Sequence, residues 1–243
     1  MLNNKMTAAA ALAVALLLPA AARASLVQWT DALAAGTPVS YLATHIVTPS
    51  RADIGALTGD ISYEFIVNGG DRAAAGSLLG SLSGGQSQAI RFEQSPNTGE
   101  YGVTQYYVDD YVFGVPTSYD VDVQLAFVVD SLAGTTALFV NGVDTGARVP
   151  VALSLAGNVA FGGTDLGGSF LGDDAFAGEI LGFAAYDSAL SAAEVQAHAD
   201  AFFDAASVVP EPATLALVGC GLIALVGPRG RGWAAARRVG AGC

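Results

Sequence analysis

The chain has 243 residues, of which 10 are basic and 22 acidic, for a net charge of −12. Twenty-one of the acids fall within residues 25–208 against four bases, Arg51, Arg72, Arg91 and Arg148, so that 4 minus 21 leaves −17 on this stretch. Such a balance makes nucleic acid and anionic surfaces poor partners on electrostatic grounds. The two cysteines, Cys220 and Cys243, lie outside the stretch, which excludes thiolate metal sites and cysteine nucleophiles within it.

Lys5, the small apolar run of residues 8–22 and the Ala22-Arg23-Ala24 cleavage pattern form a secretory signal peptide over residues 1–24. The exported domain is then expected over residues 25–208. That is 184 residues, enough for one domain that removes about 70% of its unfolded surface from solvent.

Within the domain the hydrophobic period is two. Ile61, Tyr63, Phe65 and Val67 alternate with Ser62, Glu64 and Ile66, and Val121, Val123, Leu125, Phe127 and Val129 alternate with Asp122, Gln124, Ala126 and Val128. Further strands are expected over 40–47, 88–93, 100–108, 136–140, 158–161 and 179–186, with glycine-, Asn- or Asp-containing turns between most of them. Asn141-Gly142 is the sharpest turn signal, because a two-residue type I′ turn needs positive φ at both positions. Short strands in this number predict an all-β fold, an antiparallel sandwich or barrel. One helix closes the domain: Ser191-Ala192-Ala193-Glu194 is a capping box, followed by the apolar stripe Val195, Ala199, Phe202 and Phe203. His198 on that helix is expected to be partly exposed, and His45 to sit in the core or at its rim.

Beyond the domain, Val209-Pro210-Glu211-Pro212 leads into an apolar run over 213–227 and then Arg229, Arg231, Arg237 and Arg238. Its 15 residues reach roughly 22 Å as a helix, short of the roughly 30 Å hydrocarbon core. The arginines place the C-terminal side in the cytoplasm. Residues 209–243 resemble the PEP-CTERM sorting signal of exported bacterial proteins, with Pro210, Glu211 and Pro212 as the motif. The resemblance implies transient anchoring in the membrane, processing by an exosortase-type enzyme, and a final place at the cell envelope or outside the cell.

Ala137-Leu138-Phe139-Val140-Asn141-Gly142-Val143 is similar to the "YVNG" hairpin of the laminin G-like, concanavalin A-like jellyroll proteins. Phe176-Ala177-Gly178-Glu179-Ile180, continuing through Ala185-Tyr186-Asp187 to Ala189-Leu190-Ser191 and Glu194-Val195, resembles their closing strand and helical turn. Leu181-Gly182 depart from the pattern, standing where an acidic pair is usual. The resemblance implies an antiparallel two-sheet jellyroll sandwich with a short C-terminal helix, a fold that hosts sugar binding, protein adhesion and hydrolysis alike.

Tyr106, Tyr107, Asp109, Asp110 and Tyr111 form the candidate ligand site. Aromatic faces stack on sugar rings, and carboxylates accept hydroxyl hydrogen bonds or hold calcium. Asp173 and Asp174 would join Asp109 and Asp110 around a calcium ion. The same tyrosines would serve equally as core or rim residues, with the acids marking a turn. Glu64, Glu93, Glu100 and Glu179 are isolated along the chain, and Gly76-Ser77-Leu78-Leu79-Gly80 is no nucleophile elbow. The expected function is a non-catalytic module that binds an extracellular polysaccharide or surface protein. The alternatives are a glycoside hydrolase of the same fold and a purely structural matrix protein.

Overall fold

The computed structural model describes residues 28–34, 38–42, 45–70, 76–96 and 98–208. The signal peptide, Pro210-Glu211-Pro212 and the apolar run 213–227 lie outside the described residues. Twelve strands form two antiparallel six-stranded sheets. In chain order they are β1 (Ser40–Leu42), β2 (Ser50–Asp53), β3 (Ser62–Gly69), β4 (Gly76–Ser81), β5 (Gln88–Glu93), β6 (Glu100–Gln105), β7 (Asp109–Pro116), β8 (Asp122–Asp130), β9 (Thr135–Val140), β10 (Val143–Val149), β11 (Asn158–Phe161) and β12 (Gly178–Tyr186). Helix α1 covers residues 28–34 and α2 covers Ala192–Val208. The first sheet runs β1-β12-β3-β8-β9-β10 and the second β2-β11-β4-β5-β6-β7. This is the expected all-β jellyroll sandwich with a short C-terminal helix.

Between the sheets lies one aromatic-rich core. Phe65 packs against Phe127 and Phe183, Phe161 against Phe183, and Phe92 against Tyr101, Tyr119 and Phe176. Asn141 and Gly142 take φ of 49° and 81° and join β9 to β10, the turn that their sequence predicts. Ser191 and Glu194 form the capping box in full: Ser191 N donates to Glu194 Oε2, and Glu194 N donates to Ser191 Oγ.

Period two implies one buried face per strand, yet β3 is buried on both. The reason is a second apolar layer in which Trp29 and Leu33 of α1 and Val195 and Phe202 of α2 cover Ile66, Ala126, Phe139, Leu181 and Ala184. Gly182 makes room for this layer, since a Cβ there would lie 2.5 Å from the Trp29 ring. Small apolar residues facing out of the first sheet are therefore floor for helices.

His198 corrects the expectation of partial exposure. It is 3% exposed, and its Nδ1 lies 2.8 Å from Glu64 Oε2 on a carboxylate that is 0% exposed. The other oxygen, Oε1, accepts from Gln124 Nε2 at 2.9 Å, while Gln124 Oε1 accepts from Gly142 N at 3.0 Å. Hairpin tip, sheet and helix are thus joined by one buried polar chain. His45 is half-buried at the rim, 3.8 Å from exposed Glu179.

Several strand bounds also differ from expectation. Residues 40–47 do not form one strand, because β1 ends at Leu42 and Ile46 makes only an isolated bridge to Ile180. The run 100–108 stops at Gln105, turns, and returns as β7. Val121 is exposed, just ahead of β8. Both β2 and β4 occur where the sequence shows no alternation of apolar with polar residues.

Removing His198 takes a hydrogen-bond partner from the fully buried Glu64 side chain, at a cost of about 1–3 kcal/mol. His198→Leu should therefore lower stability to urea by about that amount. Glu64→Leu/His198→Leu should recover part of it, although Gln124 loses an acceptor. A single variant within experimental error of wild type would show that the pair contributes nothing to holding α2.

Candidate binding face of the second sheet

The outer face of the second sheet is polar and partly roofed. On β5, Ile90 and Phe92 point into the core, so Arg91 points out. It is nevertheless only 4% exposed, because the segment between β11 and β12 crosses above it. That segment carries Thr164, Asp165, a 3₁₀ turn at Gly172–Asp174, and Phe176. Its close approach requires a glycine below: a Cβ at Gly80 would meet Thr164 Oγ1 at 2.5 Å.

Arg91 organises this face. Its Nη1 pairs with Asp174 Oδ1 at 2.5 Å, its Nε donates to Thr104 Oγ1 at 3.0 Å and its Nη2 donates to the Tyr106 hydroxyl at 3.2 Å. Thr104 donates in turn to Asp110 Oδ1 at 2.6 Å. The Tyr106 hydroxyl donates to Asp174 and lies 2.6 Å from Thr164 Oγ1, which itself donates to Asp174 Oδ2 at 2.7 Å. Burial pushes the Tyr106 hydroxyl well above the usual phenol range. Arg91 opposes the shift, and the hydrogen bond to Asp174 reinforces it.

The β6–β7 hairpin carries the sequence-predicted residues to different places. Its register pairs Gln105 with Asp109, so residues 106–108 form a three-residue loop. Tyr107 occupies the left-handed position of that loop with φ 67° and is 93% exposed. Tyr106 lies flat below the Arg91 guanidinium, whose Cζ is 5.7 Å from the ring centroid, and is locked by its hydroxyl. Tyr111 packs against the inter-sheet core and does not reach the site. Asp109 and Asp110 are exposed at the rim, where Asp109 Oδ1 caps Asp110 N at 2.9 Å. Around them lies a cavity of about 430 Å³ with Arg91, Thr104, Tyr106, Tyr107 and Asp110 among its walls.

Calcium finds a poor fit here. Asp174 is committed to Arg91, so a cation would have to displace the guanidinium, and Asp110 is held by Thr104. The side chain of Asp173 lies outside the described residues. Among the described residues, no three carboxylate or imidazole side chains converge on a common point. The glutamates are dispersed as well. Glu64 is buried beneath α2, and Glu93 is held by Gly99 N and the Tyr119 hydroxyl. Neither of these faces the cavity. Arg91, the centre of the site, was not singled out by sequence reasoning, although its place between Ile90 and Phe92 marks it as facing away from the core.

These features define a jellyroll of two antiparallel sheets with a polar, partly roofed face, a class that includes lectins and glucanases. The family model described as the concanavalin A-like lectin/glucanases superfamily matches residues 42–196, and the chain belongs to that family. No curated protein matches the sequence. Among solved structures, the chain is 21% identical to the IT-sialidase CBM40 of Ruminococcus gnavus bound to α2,3-sialyllactose, over 66% of this chain and 98% of that one, with a TM-score of 0.50. It is 16% identical to a SAP-like pentraxin of Limulus polyphemus, over 64% of this chain and 79% of that one, with a TM-score of 0.49. Against the NanB sialidase of Streptococcus pneumoniae the identity is 17% and the TM-score 0.46, over 65% of this chain, which spans only 28% of that enzyme. At these identities the likeness is one of fold.

Burial raises the hydroxyls of Tyr63 and Tyr106 alike. In the unfolded chain both ionise near pH 10, so the folded protein holds more protons above that pH. These two groups should leave stability unchanged from neutral pH up to about pH 10 and lower it as pH rises beyond that. Urea midpoints followed across this range check the sign, and Tyr106→Phe should make the decline shallower. A midpoint that does not change with pH would refute the prediction.

Proposed function

We propose that the domain is a non-catalytic glycan-binding module whose contact surface is the β6–β7 hairpin. Tyr107 carries this reading. A large aromatic side chain left almost wholly in solvent, on a left-handed backbone that a non-glycine residue adopts only at a cost, is not explained by packing. A loop that presents a tyrosine face beside exposed carboxylates is instead suited to stack on a sugar ring and accept from its hydroxyls. Arg91, Thr104 and Tyr106 act beneath it as positioning residues.

The dispersal of the glutamates favours binding over hydrolysis, since a glycosidase needs two carboxyl groups roughly 5–9 Å apart across one cleft. A surface protein is the second reading. Exposed Val108 and Val112 extend the apolar strip beside Tyr107 and favour it. Tyr107→Ala should weaken glycan binding about tenfold or more, in line with the loss of one stacking contact at 1–3 kcal/mol, while the melting temperature stays nearly unchanged. Calorimetry on the variant decides. Unchanged affinity with a large loss of melting temperature would make Tyr107 a packing residue and end the proposal.

Binding should survive chelation, because Asp174 already has a cationic partner. Loss of glycan affinity in EDTA, restored by calcium, would instead return Asp109, Asp110, Asp173 and Asp174 to the role of ligands.

The ends of the chain support export: a signal peptide over 1–24, then release or envelope attachment after exosortase-type cleavage near Pro210, Glu211 and Pro212, with residues 213–227 as a transient membrane segment. Mass spectrometry of the native mature protein should find an N-terminus near Ser25 and no peptide from beyond residue 213. An intact terminus at Cys243 on most molecules would refute this processing.

A further inference from the structure

A second cavity, of about 520 Å³, opens between the β4–β5 turn, the start of β11 and the segment after it. Consecutive residues divide the two sites: Thr164 reaches into the Arg91 network, whereas Asp165 turns to the second cavity. Asp165 is 2% exposed. Its Oδ2 accepts from Ser83 Oγ at 2.7 Å. Its Oδ1 lies 2.5 Å from Arg51 Nε but receives no aligned hydrogen bond, so it keeps accepting capacity. Burial acts to raise the Asp165 carboxyl, but Ser83, Arg51 and the Gly167 N–H outweigh it and hold it below the usual carboxylate range.

The walls are rigid and thin. Arg51 is fixed by the Ser169 carbonyl at 3.0 Å and lies 5.1 Å from the Phe170 ring centroid. Gln86 clamps both the N–H and the C=O of Ala156. Gly84, Gly157 and Gly167 all line the cavity at positive φ, of 62°, 60° and 75°. A Cβ at Gly84 or Gly157 would meet nothing within 4 Å, so the main chain there is open to close approach.

We infer that this cavity is a second saccharide site, selective for a neutral sugar unit. Its one cation and one anion cancel, which removes the attraction that would hold a charged ligand. What remains is a mixture of donors (Arg51, Asn158) and acceptors (Asp165) that only a ligand with both functions in each group satisfies, as a hydroxyl does. The inference rests on the glycan-binding reading but places the sugar at residues remote in sequence from Tyr107.

The test is a titration of the isotope-labelled full-length chain with maltotriose, cellotriose and chitotriose, with sialyllactose as the anionic control. Backbone amide resonances are followed at Gly84, Gly157 and Gly167 and, separately, at residues 106–110. A neutral trisaccharide should shift the glycine set, and sialyllactose should not. Asn158→Trp, which fills the cavity from an exposed strand end and leaves the Arg51–Asp165 pair intact, should weaken that response at least about tenfold. It should leave the response at 106–110 unchanged. Shifts confined to residues 106–110 would overturn the second site and leave the tyrosine site standing. Shifts confined to the glycine set would uphold the second site against the first, and no shift with any probe would overturn both. A glycine-set response as strong with sialyllactose would overturn the selectivity for neutral sugars.

Discussion

The ion pair between Arg91 and Asp174 is the constraint on which the functional face depends. An arginine at the middle of a sheet points at solvent by default, and burying it unpaired would cost several kcal/mol. Here the guanidinium is covered and met on three sides by Asp174, Thr104 and Tyr106. Its partner lies 83 residues away, so the pair fixes the whole crossing between β11 and β12. That crossing supplies Thr164 and Asp165, one to each cavity. Loosening the pair would disturb the tyrosine site and the neighbouring glycine-walled pocket together.

The first sheet solves the same problem differently. Glu64 occupies the equivalent outward position on β3 and is met by His198 from α2, with Gln124 as the second donor. Because α1 and α2 then cover most of this face with Trp29, Leu33, Val195 and Phe202, little of it is left to bind anything. Open polar surface is thereby left to the second sheet, where the cover is a loop rather than a helix and leaves cavities at its margins. A buried hydrogen-bonded pair of this kind adds little net stability, since it replaces hydrogen bonds to water. Its effect is selective: a helix docked one turn out of register would strand Glu64.

What was legible in the sequence was local. Asn141-Gly142 needs only its own backbone preference, Ser191 and Glu194 are three residues apart, and Phe65 or Leu125 shows its buried face through its immediate neighbours. β7 carries no strand signal because it begins with the exposed acids Asp109-Asp110, and β4 carries none because Gly76-Ser77 and Gly80-Ser81 look like a turn. In β4 the glycine at position 80 serves the close passage of Thr164, not chain reversal. His198 was misplaced for the same reason that Arg91 was passed over: its partner is distant, 134 residues in the case of Glu64, and pairing across such a span leaves no local mark. The tyrosines show the limit well. Three of them sit within six positions, yet one is locked, one packs half-buried against the core and one is free, and only the register of the β6–β7 loop separates them.

That register also bears on the kind of glycan that the proposed site would accept. The domain is strongly acidic, but beyond a Debye length of about 8 Å at physiological ionic strength exposed charges are largely screened, so the residues within reach of the ligand decide. Beside Tyr107 these are Asp109 and Asp110, both exposed, whereas Arg91 is spent on Asp174 and faces no ligand. A carboxylated sugar stacked on Tyr107 would meet two like charges and no free cation. A neutral ring would meet acceptors for its hydroxyls. At the proposed site, a contact made of one aromatic face and two carboxylates would then hold a sugar at the mouth of the cavity walled by Arg91, Thr104 and Tyr106.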